Sequence, residues 1–179
     1  MKKDELIKKV IAKNGTNAVL RPATVDDAFQ IVHAAEKIIK AGVYIQKEKA
    51  RTIEEEKNFI KELEQRNNMY IVIEIEKEVV GIARAIRGEL EMKSHIGTFR
   101  TWLIDSAQGI GIGGHIMNYT LEWCRIHHFH KLCLTVFASN RLAQKLYEGY
   151  GFIYEGTQKQ QIKINGRYDD EIFMAYFFQ

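Results

Sequence analysis

A chain of 179 residues, 46% hydrophobic and 27% charged, is long and apolar enough to bury a full core, which excludes a disordered chain and suggests one domain. Its formal net charge of +3 is too mild to demand nucleic acid, yet it does not repel an anionic ligand. With a single proline, no repeat, no low-complexity linker and no membrane-length apolar stretch, the composition points away from a second domain and a membrane. The basic start, Met1-Lys2-Lys3, does not lead into a signal peptide, because Lys8, Lys9 and Lys13 break the apolar run. Leu6, Ile7, Val10 and Ile11 fall on one helical face, so residues 1–15 read as a helical extension before a domain spanning 16–179. Ala18 to Arg21 reads as a short strand stopped by Pro22. Thr24 can cap a helix whose apolar stripe is Ala28, Ile31, Val32, Ala35, Ile38 and Ile39, ending at Gly42. A loop from Val43 to Arg51 follows. Thr52 and Glu55 then form a capping-box pair ahead of a second helix.

Beyond Asn68 the pattern changes to strands. Tyr70–Glu76 and Val79–Arg87 form a hairpin, Gly88–Ser94 is a charged turn, and His95–Ile104 is a third strand. An amphipathic helix over Ile112–His127 precedes a strand at Leu132–Phe137 and a helix from about Arg141 to Tyr150. Phe152–Ile164 and Arg167–Phe178 close the chain as a hairpin around Asn165-Gly166, a pair suited to a tight turn. The order is strand, two helices, three antiparallel strands, helix, strand, helix, hairpin. It describes an α+β chain on one mixed, mostly antiparallel sheet. Cys124 and Cys133 are too far apart for a C-x-x-C pair and sit in apolar segments, so buried free thiols in a cytoplasmic protein are expected.

The chemistry centres on Gln108-Gly109-Ile110-Gly111-Ile112-Gly113-Gly114, between the third strand and its helix. Glycines ahead of a helix N-terminus suit a phosphate, since unpaired N–H groups and a partial positive charge meet there. A Walker-type loop needs Lys and Ser/Thr after its last glycine, whereas His115 and Ile116 follow here. The spacing Gly109, Gly111, Gly114 matches a dinucleotide fingerprint. However, the next strand ends Thr135-Val136-Phe137-Ala138, without the acid that would hold a ribose.

Gln108-x-x-Gly111-x-Gly113 resembles the acetyl-CoA pyrophosphate loop of the GNAT superfamily of N-acetyltransferases. Asn140-x-x-Ala143-x-x-Leu146-Tyr147-x-x-x-Gly151-Phe152 resembles that family's second motif. The element order matches from about Val19 onward. This resemblance implies that acetyl-CoA binds as co-substrate, without a metal, and that a primary amine of a small molecule or protein N-terminus attacks the thioester directly. It assigns the pyrophosphate to the backbone of Gly109 to Gly114, with Ile110 and Ile112 pointing into the core. Gln108 stands where many relatives carry Arg, and a neutral amide cannot make the charge-assisted hydrogen bond that Arg offers there.

The resemblance also gives the pantetheine arm to the strand edge Leu103-Ile104-Asp105, where a backbone N–H near Leu103 would stabilise the oxyanion. Asn140 would hydrogen-bond that arm, and it could equally be a plain helix cap. Tyr147 would protonate the departing thiolate, with an aromatic of the apolar helix face as the plainer alternative. A phenol of reference pKa about 10 suits that step.

An alkyl ammonium is neutral only about once in 2,500 molecules at pH 7, so something must take its proton. His95 is the titratable candidate on the third strand, although a packed or surface histidine is the plainer reading. Glu89, Glu91 and Glu54-Glu55-Glu56 could draw a cationic acceptor or simply face solvent. His127, His128 and His130 lack the spacing of a metal site and suit a helix C-terminus. The acceptor pocket is expected from Val43–Arg51, Gly88–His95 and the final hairpin. Ile172 to Phe178 is apolar enough for core or for a homodimer contact. Two alternatives stay open: a non-catalytic CoA-binding module of the same fold, and an acyltransferase for another acyl-CoA or an alcohol.

Overall fold

A computed structural model describes residues 6–42 and 49–179. Its strands are β1 (Lys8–Ile11), β2 (Asn17–Pro22), β3 (Met69–Ile75), β4 (Glu78–Arg87), β5 (Ile96–Leu103), β6 (Lys131–Phe137), β7 (Ile153–Ile164) and β8 (Arg167–Phe177). Its helices are α1 (Ala28–Ala41), α2 (Ile53–Gln65), α3 (Ile112–Ile126) and α4 (Arg141–Gly149). The strands are hydrogen-bonded in the order β1-β2-β3-β4-β5-β6-β8-β7. β5 and β6 run parallel, while the β1–β2, β2–β3, β3–β4, β6–β8 and β7–β8 ladders are antiparallel. This is the mixed, mostly antiparallel α+β sheet that the element order predicts.

One expectation fails at the start. Residues 8–11 are a strand, not a helix, and pair with β2 from Lys8↔Leu20 to Ile11↔Asn17. Apolar residues at 6, 7, 10 and 11 fit a helical face, but the neighbouring edge of β2 offers ladder bonds. Burial along β1 alternates with period two, and Ile11 is left exposed. The first five residues of the expected extension lie outside the described ones.

The chain groups into two compact units. One runs to Ile86 and takes in Arg100–Trp123; the other is Arg87–Phe99 with Cys124–Gln179. In the first, Ala28 and Ile31 of α1 and Ile60 and Leu63 of α2 pack on Tyr70, Val72, Val79 and Ile82 of β3 and β4. Each such aliphatic side chain contributes roughly 1.5–3 kcal/mol when fully buried. Gly42 ends α1 in the left-handed region at φ 69°. At the start of α2, Thr52 Oγ1 accepts from the Glu55 N–H (3.2 Å) and the Thr52 N–H donates to Glu55 Oε2 (2.7 Å), completing the expected box.

In the second unit, Ile172, Met174 and Ala175 of β8 are buried, so this part of the apolar hairpin arm is core. The Asn165-Gly166 turn has φ of 50° and 78°, the geometry that its residues favour. Arg87 donates from one guanidinium nitrogen to the His127 carbonyl (2.8 Å) and lies 3.9 Å from the Phe129 ring centroid. Cys124 is fully buried, which pushes its thiol up to about 12, whereas Cys133 is only half-buried. No helix among the described residues is long and apolar enough to cross a membrane.

Candidate active site

In the first unit the site is built from the end of β5. Ile104 donates its N–H to the Val80 carbonyl of β4 (2.8 Å). Strand alternation therefore turns the Leu103 N–H to the opposite edge, away from β4. Gly81 leaves room for this approach, because a Cβ there would lie 2.4 Å from the Trp102 carbonyl oxygen. The ladder from β5 to β6 covers only Ile96, Gly97 and Thr98. The chain then turns at Asp105–Ala107, where the Ala107 N–H donates to Ile104 O (2.9 Å) and the Gln108 N–H to Asp105 O (3.1 Å). Of the three edge residues expected to use backbone groups, Ile104 has both its N–H and its carbonyl engaged. Leu103 turns its N–H away from β4, while its carbonyl accepts from the Gln108 side chain at 2.8 Å.

The loop itself divides in two. Gly109 and Gly111 hold φ of 73° and 89°, where a Cβ is strained, so glycine is favoured at both. Gly113 and Gly114 already belong to the first turn of α3. Helix geometry leaves the leading N–H groups of α3 without intrahelical acceptors, and that of Gly114 reaches back to Gly111 O at 3.2 Å. Ile112 is buried, as expected, and anchors the helix start together with Ile116 one turn on. Ile110 is only half-buried. Lys13, which no sequence pattern singles out, crosses the loop. Its N–H donates to the Ile110 carbonyl (2.8 Å), and its stem lies against Gly111.

In the second unit, Asn140 is the N-cap of α4, its Oδ1 accepting from the Ala143 N–H at 3.2 Å. The plain reading of Asn140 is thus present, and its amide nitrogen is not needed for the cap. Tyr147 is buried, with its ring edge-on to Phe99 (6.4 Å) and tilted against Phe152 (5.7 Å). Gly151, at φ 88°, turns the chain so that the Phe152 N–H can donate to the Tyr147 carbonyl (3.0 Å). Helical spacing therefore suffices to put the tyrosine on the apolar face, and the turn brings Phe152 beside it.

The other titratable candidates separate. His95 is exposed, its ring 5.9 Å from that of His130. His128 sits at φ 57° just past the end of α3, where its N–H donates to Arg125 O and that of Phe129 to Cys124 O, a helix stop. No group of three or more His, Cys, Asp or Glu among the described residues is placed to hold a metal ion. Glu55 is committed to its cap. Glu56 is buried under α2, where it accepts from the Tyr70 hydroxyl and from Arg51 (3.1 Å). Burial first, then the Glu56 charge, raises the Tyr70 phenol well above its ordinary value. Glu54 faces solvent 3.9 Å from Lys57, and Glu55, though tied to the cap, is exposed as well. Much of the expected acceptor loop, residues 43–48, lies outside the described residues.

The pattern of the acetyltransferase (GNAT) family matches residues 35–152, well over half of the chain. The chain belongs to the GNAT acetyltransferase family. It is 31% identical over 105 residues to an L-amino acid N-acetyltransferase of Escherichia coli, covering 56% of this chain and 63% of that one. It is 30% identical over 102 residues to a spermidine N(1)-acetyltransferase of Vibrio cholerae, covering 56% and 58%. The matches thus span less than two thirds of either relative. A solved GNAT superfamily phosphinothricin acetyltransferase from Sinorhizobium meliloti, in complex with acetyl-CoA, shares the fold at a TM-score of 0.83. It is 21% identical, covering 90% of this chain and 88% of that one.

Two left-handed glycines keep side chains out of the turn at Gln108–Gly114, and the first turn of α3 presents its N–H groups just behind them, a geometry that suits an anion.

Proposed function

We propose that the protein is an N-acetyltransferase that moves the acetyl group of acetyl-CoA directly to the primary amine of a small molecule or a protein N-terminus. The observation that carries this reading is the junction of β5, the left-handed glycines and α3, combined with family membership. The co-substrate supplies an activated acetyl thioester. The chain's part is to hold its phosphates on the backbone of Gly109–Gly114 and to offer the Leu103 N–H, which is turned away from β4, to the carbonyl oxygen. The amine nitrogen forms the new C–N bond as the C–S bond breaks. Tyr147 then gives its phenolic proton to the thiolate sulfur, and the proton of the attacking amine leaves to water or to a base. Asn140 has an amide nitrogen free of the cap to donate to the pantetheine arm.

The two relatives differ in acceptor, one an amino-acid and one a polyamine enzyme by name. In this chain Glu55 and Glu56 are already committed, which weakens the case for a broad acidic surface drawing a polycation. Free thiols at Cys124 and Cys133 fit a reducing compartment, the cytoplasm. A homodimer through the final hairpin would have to use its exposed residues, such as Phe177, since Ile172 and Met174 are buried.

The test is thiol release from acetyl-CoA across polyamines, amino acids, aminoglycosides and N-terminal peptides, with wild type and Tyr147→Phe side by side. Turnover with one acceptor that falls about 10²-fold or more in the variant, with CoA affinity unchanged, is the expected result. Stoichiometric CoA binding without thiol release from any acceptor would favour a non-catalytic module instead.

A further inference from the structure

The loop from Gln108 to Gly114 contains no lysine or arginine. Its polar side chain, Gln108, is turned back to Leu103 O (2.8 Å) and Asp105 Oδ1 (3.4 Å). A pyrophosphate seated there would meet backbone dipoles alone unless a cation arrives from elsewhere. One does. After β1 the chain bends tightly, with the Ala12 N–H donating to Thr16 O (2.8 Å) and the Gly15 N–H to Ala12 O (2.9 Å).

This bend is fastened to the loop at two places. The Lys13 N–H donates to Ile110 O (2.8 Å), and the His115 ring Nε2 lies 3.2 Å from Ile11 O. The Lys13 stem then runs across Gly111. A Cβ on that glycine would lie 2.8, 3.1 and 3.2 Å from Lys13 Cγ, Cδ and Cε. The ammonium is one further C–N bond away, about 1.5 Å, so it stands within about 5 Å of that position. Lys13 is exposed, and among the described residues it forms no ion pair. It also lies outside residues 35–152, so the family pattern assigns it nothing.

We propose that Lys13 is a phosphate-binding residue of the co-substrate site, carried there by the N-terminal strand, and that it supplies the charge missing from Gln108. The proposal rests on the acetyl-CoA reading above. The backbone fastening sets the bend on the loop, and the flexible stem lets the ammonium follow a phosphate oxygen.

The test is calorimetric titration of CoA and of dephospho-CoA into wild type, Lys13→Met and Lys13→Arg at low and high salt, with melting temperatures alongside. Lys13→Met keeps the backbone N–H and is expected to melt as wild type does. It should bind CoA about tenfold or more weakly, with a flatter dependence on salt, and Lys13→Arg should restore most of the affinity. An equal loss with dephospho-CoA assigns the contact to the pyrophosphate; a loss confined to CoA assigns it to the 3′-phosphate. Undiminished CoA affinity in Lys13→Met overturns the proposal and leaves the co-substrate reading intact. So does a loss that neither salt nor arginine alters, since the residue would then only shape the loop. Failure of wild type itself to bind CoA would overturn the co-substrate reading and, with it, the role of Lys13.

Discussion

Gly109 and Gly111 show how much one residue decides. Both hold left-handed backbone, where alanine costs about 1–2 kcal/mol. Around Gly109 nothing lies within 4 Å of an added Cβ, whereas at Gly111 the methyl would displace the Lys13 stem. Gly111→Ala should therefore weaken CoA binding by more than its loss of stability explains, as calorimetry beside thermal melts will show. The motifs make the left-handed glycines, the Asn140 cap and the burial of Tyr147 legible, because a turn, an N-cap and a helical stripe leave marks within a few residues. Lys13 is not legible. It acts on a loop some hundred positions away, and no local spacing encodes a contact between segments that only the fold brings together.

At the scale of the element, three consecutive glutamates meet three fates. A helix turns 100° per residue, so Glu54 faces water, Glu55 reaches back to the cap and Glu56 points under the helix to Arg51 and Tyr70. The sequence announces the cap through Thr52 and Glu55. It cannot announce the buried carboxylate, whose partner Tyr70 comes from β3. The N-terminal strand reads as a helix for a related reason: four residues are too few to separate a period of 3.6 from one of 2. Hairpins are easier, since turns are local. The turn between β3 and β4 holds Glu76 and Lys77 at φ of 51° and 68°, both unfavourable for ordinary side chains. Replacing the pair with Asn-Gly should stabilise the protein by about 1 kcal/mol, read as a higher urea midpoint with an unchanged slope.

For the molecule as a whole, acid is the informative stress. Arg21 on β2 donates to both Asp27 oxygens (2.8 Å each) and to Glu74 Oε2 on β3 (2.8 and 3.0 Å), and the Thr24 N–H also donates to Asp27 (2.8 Å). Burial alone would raise the Asp27 carboxyl, but Arg21 and Thr24 outweigh it and hold the group below its ordinary 3.8. A depressed carboxylate stabilises the fold fully above its unfolded pKa, and that contribution is lost as pH falls from about 4 through the folded value. Asp27→Asn should cost about 2 kcal/mol at pH 7, roughly 4–8 °C in melting temperature. The gap to wild type should close below about pH 4 in melts run from pH 7 to about 2.5. At the other end of the strand order stands β7, exposed along most of its twelve residues. A flat edge of that length would be a template on which any extended chain could add itself, the first step toward fibres. β7 is not flat. Its register slips between Tyr154 and Gly156 and again between Gln158 and Ile162, and lysines stand at 159 and 163. The irregular outer hairpin thus works as a guard against aggregation, keeping copies of the chain from zipping together in a crowded solution.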